Sequence, residues 1–106
     1  KSPWAGTDKT LELKPGAKRK LDNQTTKIWH LVKTQPEKAV LQAFQLFDDG
    51  YRSEYICRCI AAGYRKQHKY KEEIDFLIQV KKDYEFYNFD GSIRQALRLL
   101  EKTDGL

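Results

Sequence analysis

The sequence predicts an all-α fold, and three observations carry that expectation. Apolar residues recur at helical spacing in successive stretches from about residue 24 onward. Proline, glycine and capping residues stand between those stretches as stop and start signals. Part of the pattern also repeats, because Ala39, Val40, Ala43 and Leu46 stand 34 residues before Glu73, Ile74, Leu77 and Val80. Self-similarity at a fixed period is the mark of stacked helical units, a scaffold that serves binding more often than chemistry.

Residues 1–23 form a basic N-terminal arm. The first 20 residues hold six basic and two acidic side chains together with Pro3, Gly6, Pro15 and Gly16. Thr10 to Leu13 alternates apolar and polar, and Pro15-Gly16 suits the centre of a type II turn, so a short β-hairpin returning through Lys18 to Leu21 is one reading. An irregular, flexible basic tail is the other. Trp4, the bulky apolar group of the arm, is expected to dock on the helices.

The helical domain spans 24–106. Ile28, Trp29, Leu31 and Val32 make the stripe of a first helix after cap-like Asn23, Thr25 and Thr26, and it ends near Thr34. Pro36 opens the second helix, where a first-turn proline costs no hydrogen bond and Glu37 suits the positive end of the helix. That helix carries Ala39, Val40, Ala43, Phe44, Leu46 and Phe47 and stops at Asp48-Asp49-Gly50. Ser53 caps a third helix that buries Ile56, Cys57, Ile60, Ala61 and Tyr64 and runs to about Gln67. After a break at His68 and Lys69, a fourth helix carries Tyr70, Ile74, Leu77, Ile78 and Val80 and fades near Tyr84. Glu85 to Gly91 is expected to be a loop, and the last helix, about 92–102, offers Ile93, Ala96, Leu97 and Leu100. The aromatic run Tyr84, Phe86, Tyr87 and Phe89 is expected to pack the last helix onto the fourth, and is a second candidate surface.

The 106 residues allow one small core, and a formal charge of +5 is basic without being extreme. The 40% hydrophobic content, with two Trp, six Tyr and five Phe, is too rich for a disordered chain. No run approaches the roughly 18 apolar residues that cross a bilayer, and no leader pattern opens the sequence. A soluble, cytoplasmic protein is expected, and the start at Lys1 with no Met suggests a processed product or a piece of a longer chain. Cys57 and Cys59 point about 200° apart on a helix and cannot readily bridge. They are expected to be buried thiols in a reducing compartment. A metal site would need His30 or His68 at no recognisable ligand spacing, so no metal and no cofactor is expected.

Residues 53 to 80 resemble a tetratricopeptide repeat, on Ile60-Ala61, Tyr64, Tyr70, Ile74, Leu77 and Val80 and on the stretch AAGYRKQHKYKEEIDFL. By that resemblance Ala61 is the small residue that lets the second helix approach and Tyr64 fills the gap between the helices. Glu73 departs from the pattern, standing where the family usually has Ala, and no Pro closes the unit near Glu85. Residues 25 to 50 resemble a second copy, with Trp29 one residue out of register with Tyr64. The resemblance implies antiparallel helix hairpins in a right-handed superhelical stack, with units at about 25–50 and 53–84 and a final cap. About three units are usually needed for stability. The arm and last helix seal the ends, or the parent chain or a second copy completes the stack. A sealed small domain that can also dimerise is the favoured reading.

The third helix has a second face. Arg58, Ala62, Arg65 and Lys69 lie at offsets of 0, 4, 7 and 11 and so share one stripe, and no acid interrupts residues 55 to 71. By resemblance Arg58, Ala62, Arg65 and Lys66 match positions that line the concave groove where the family holds extended peptides. Arginine forks suit carboxylates, so a protein or peptide partner with an acidic segment or free terminus is the expected ligand. The same stripe with Lys14, Lys18, Arg19 and Lys20 could instead neutralise nucleic-acid phosphates, with Trp4 or Tyr70 stacking on bases. Catalysis is not expected. His30 and His68 have no nucleophile beside them, Cys59 has no identified base, and no Gly-rich phosphate loop occurs. Glu72, Glu73 and Asp75 read as partners of a helix N-terminus.

Overall fold

A computed structural model describes residues 9–84 and 88–104. The described chain is all-α: a 3-10 turn at Lys9–Glu12, then α1 (Pro15–Thr34), α2 (Pro36–Asp48), α3 (Glu54–Lys66), α4 (Tyr70–Asp83) and α5 (Asp90–Asp104). No strand occurs among the described residues, and no helix is long and apolar enough to cross a membrane. Each helix packs on its sequence neighbours, α2 on α3 most extensively, and α1 also reaches α3 directly. Trp4, Phe86 and Tyr87 lie outside the described residues.

Both readings of the chain around Pro15-Gly16, a short hairpin and an irregular tail, give way to helix from Pro15 onward. Pro15 is the first residue of α1, where its missing N–H is one the helix would leave unbonded, and Lys14 before it is extended (φ −69°, ψ 157°) as a residue preceding proline prefers. Thr25 and Thr26 do not start the helix near residue 24. Their hydroxyls donate back to the carbonyls of Leu21 (2.7 Å) and Asp22 (2.9 Å), so both belong to its interior. The buried stripe of α1 is Leu21, Thr25, Ile28 and Val32, and Trp29 stands outside it. The last helix likewise starts earlier than Ser92. The Asp90 N–H donates to Asn88 Oδ1 (3.1 Å) and the Ile93 N–H to the Phe89 carbonyl (2.9 Å), opening α5 at Asp90.

All eight residues of the 34-residue repeat are buried. In the helices that precede them, the stripe Leu21, Thr25, Ile28 of α1 corresponds to Ile56, Ile60, Gly63 of α3 at a spacing of 35. Phe47, with Ile56, Ile60 and Leu77, is fully buried, and burying a side chain of this size contributes about 1.5–3 kcal/mol. The Phe76 ring meets Phe44 and Phe47 edge-on at centroid distances of 5.3 and 5.4 Å, joining α4 to α2.

Two helices end in the same left-handed turn. After α2, the Gly50 N–H donates to Phe47 and the Tyr51 N–H to Leu46; after α3, the His68 N–H donates to Arg65 and the Lys69 N–H to Tyr64. Gly50 takes φ 104° and His68 φ 60°. The histidine adopts this backbone with its Nδ1 2.7 Å from the Tyr70 hydroxyl. A β-branched residue has no comparable tolerance of positive φ. His68→Val is expected to lose about 1–2 kcal/mol in urea unfolding, whereas His68→Gly should equal or exceed the parent. Ser53 Oγ accepts from the Ile56 N–H (3.2 Å), which is the cap the sequence places there.

Candidate functional site

A groove of about 540 Å³ runs along the side of the molecule where α1 and α3 lie together and the start of α5 closes one end. Its apolar floor comes from Trp29 and Val32 of α1, Ala61 and Ala62 of α3, and Phe89 ahead of α5. Its basic rim comes from Lys33, Arg58 and Lys66. Trp29 keeps 38% of its surface exposed and leans on Tyr55, ring centroids 6.3 Å apart. The Tyr55 hydroxyl donates to Thr26 Oγ1 (3.2 Å), so the wall of the groove is braced across α1 and α3.

The five candidate residues take different places. Arg58 is exposed and paired with Glu54 one turn earlier at 2.8 Å, a surface contact worth a few tenths of a kcal/mol that a ligand can readily displace. Ala62 is half-buried in the floor and Lys66 is exposed on the rim. Lys69 precedes α4, is exposed, and does not line the groove. Arg65 is held within the fold. Its Nε and one terminal nitrogen donate to the two Glu73 oxygens at 3.1 and 2.7 Å, and further bonds reach the Ser92 carbonyl (3.0 Å) and Gln95 Oε1 (3.2 Å). That fork leaves little free hydrogen-bonding capacity for an external carboxylate and joins α3, α4 and α5 at the end of the groove.

Glu73, read from the sequence as a partner of the α4 N-terminus, is 1% exposed and forms the buried side of this ion pair. Burial pushes its carboxyl above the ordinary carboxylate value, and the hydrogen bonds and charge of Arg65 work against that shift. Arg65 and Glu73 neutralise each other, so the uncompensated charge of the groove belongs to its rim. Lys33 and Lys66 form no ion pair among the described residues.

Trp29 and Lys33 are absent from the sequence-derived candidates, and Phe89 enters there only within the aromatic run that forms a second candidate surface. Trp29 and Lys33 sit one turn apart on the flank of the α1 stripe, a spacing visible in the sequence, but only the packing of α1 on α3 turns that flank into a wall. Both cysteines are buried. Cys59 donates to the Thr25 carbonyl (3.8 Å), and burial pushes its thiol up to about 12, so it is not a thiolate near neutral pH. Among the described residues no group of three or more His, Cys, Asp or Glu could hold a metal ion. Comparison with protein-family models, with curated proteins and with solved structures finds no match in any of the three.

Proposed function

We propose that this chain is a protein-interaction module that holds an extended, acidic segment of a partner protein in the groove along α1 and α3. In this reading α1 with α2 and α3 with α4 are antiparallel hairpins of tetratricopeptide-like build, stacked right-handedly, with α5 as the seal. The observation that carries the binding reading is the make-up of the groove. An apolar floor of Trp29, Val32, Ala62 and Phe89 takes a large apolar side chain, and a rim bearing Lys33, Arg58 and Lys66 takes the carboxylates beside it. The ligand's acids meet the rim lysines and Arg58, while Arg65 supports the end wall. Binding rather than catalysis fits the protonated thiol of Cys59 and the engagement of the His68 ring with Tyr70.

Selection from a random displayed peptide library tests this reading. Enrichment of peptides with a large apolar residue flanked by Asp or Glu is expected, and Ala62→Trp, which fills the floor without changing charge, should abolish their capture. Lys33→Glu with Lys66→Glu should weaken capture at least about tenfold, as expected when close charge pairs become repulsive. Enrichment of basic or purely apolar peptides, or capture indifferent to Ala62→Trp, would refute it.

A further inference from the structure

The charge of this protein is unevenly placed. Residues 14–34 carry six basic side chains, Lys14, Lys18, Arg19, Lys20, Lys27 and Lys33, against the single acid Asp22, and the rest of the chain carries fourteen of each sign. The whole formal charge of +5 is thus the charge of α1 and the residue before it. All six cations are exposed and none forms an ion pair among the described residues. At about 100° per residue, Lys20 and Lys27 fall on one line and Arg19 lies beside it, with Asn23 between them, on the side opposite the buried Leu21, Ile28 and Val32, whereas Lys33 lies farther round on the groove rim. Lys20 and Lys27 stand about 10 Å apart along the axis at 1.5 Å per residue, a length over which a duplex presents about six phosphate charges along its own axis.

We infer that the outward face of α1 is a second binding surface, separate from the groove, that takes the phosphate backbone of double-stranded nucleic acid without reading its sequence. A bilayer fits this face less well. The apolar side of α1 is buried in the core, so the helix has nothing to insert below the headgroups. A single strand fits less well because the face between the cations presents Asn23, His30 and Thr26, where one lone imidazole is no platform on which successive bases could stack. An acidic protein would need an apolar anchor at the centre of the contact, which this face does not offer. A duplex presents a dense, regular row of negative charge and asks only for matching cations.

Fluorescence anisotropy with a labelled duplex of arbitrary sequence tests the inference on the intact chain. Binding should weaken as salt rises, with a logarithmic slope of about −3.6 to −4.5 for four or five phosphate contacts. Arg19→Ala/Lys20→Ala/Lys27→Ala should weaken binding about tenfold or more at low salt and flatten the slope by about two to three. Lys82→Ala/Arg94→Ala/Arg98→Ala removes the same charge from exposed positions of α4 and α5 and should change affinity by less than about twofold, with circular dichroism checking that both variants fold. Absent or salt-independent duplex binding would overturn the proposal. So would equal losses in the two variants, or tighter binding to anionic phospholipid vesicles, single strands or polyglutamate than to the duplex.

Discussion

Arg65→Ala is expected to lose about 3–5 kcal/mol of folding stability, the largest effect of any single substitution considered. The change leaves Glu73, 1% exposed, as a buried carboxylate without its cation, and also removes the bonds to the Ser92 carbonyl and Gln95 that hold α5. Arg65→Lys should recover only part of the loss, because a point charge cannot span both Glu73 oxygens as the guanidinium does. Arg65→Met with Glu73→Leu should recover most of it, since neither partner then remains buried and unpaired. The loss depends on pH with a definite sign. The Glu73 carboxyl is already raised by burial, and without Arg65 it rises further above its unfolded value. A carboxyl raised on folding binds more protons in the native state; its contribution is complete below the unfolded value and is lost as pH climbs through the folded one. The Arg65→Ala deficit should therefore be smaller near about pH 5 than near about pH 8. Urea unfolding at both pH values checks this, and an equal deficit at the two would show that Glu73 is not the group left stranded.

Gly63→Ala is expected to cost about 2 kcal/mol, although an alanine normally stabilises a helix interior by about 1 kcal/mol over glycine. A β-carbon at Gly63 would overlap Val40 Cγ2 and stand 3.2 Å from the Pro36 carbonyl. Neither neighbour gives way easily, because a helical valine has one strongly preferred rotamer and the carbonyl is backbone. Overpacking a tight core contact costs about 1–3 kcal/mol and occasionally more, and here it outweighs the gain in propensity. Val40→Ala in the Gly63→Ala background should restore part of the loss, and a double-mutant cycle would measure the coupling. Unchanged stability in Gly63→Ala alone would mean that α2 and α3 can separate without penalty.

The place of Gly63 marks where the sequence was legible and where it was not. Positions whose burial follows from periodicity are readable, as the seven apolar residues matched at a spacing of 34 illustrate, and so are the stops at Gly50 and His68. The resemblance puts a small residue of close approach at Ala61, toward the following helix, and the structure adds a tight contact at Gly63 that faces the preceding helix α2. Periodicity tells which face is inward but not which neighbour it meets. The start of α1 was obscured because Pro15-Gly16 serves a turn or a first helical turn equally well, and Thr25 and Thr26 can cap a helix or bond within one. The buried Phe76 was missed because it lies on the edge of the α4 stripe, where only the Phe44 and Phe47 rings decide its burial.

The site divides in the same way. Spacing puts Arg58, Ala62, Arg65 and Lys69 on one helix face and the resemblance adds Lys66; all of these except Lys69 line one groove. The partner of Arg65 was hidden, because Glu73 resembles any acid in the first turn of a helix until the packing of α4 on α3 buries it. Glu54 just before the acid-free stretch and Glu73 two residues after it fold back onto its arginines, which leaves the uncompensated charge on Lys33 and Lys66. The apolar floor around Trp29 and Phe89 joins segments distant in sequence, which only the tertiary packing brings together.

The measurement that tests the central claim most directly is an amide and indole chemical-shift titration of the labelled chain with one enriched acidic peptide. The proposed function predicts saturable shifts concentrated at the Trp29 indole, Lys33, Ala62, Lys66 and Phe89, and their loss in Ala62→Trp. Shifts confined to the outer faces of α2 or α5, around exposed Leu41 or Leu97, would contradict the groove as the binding site.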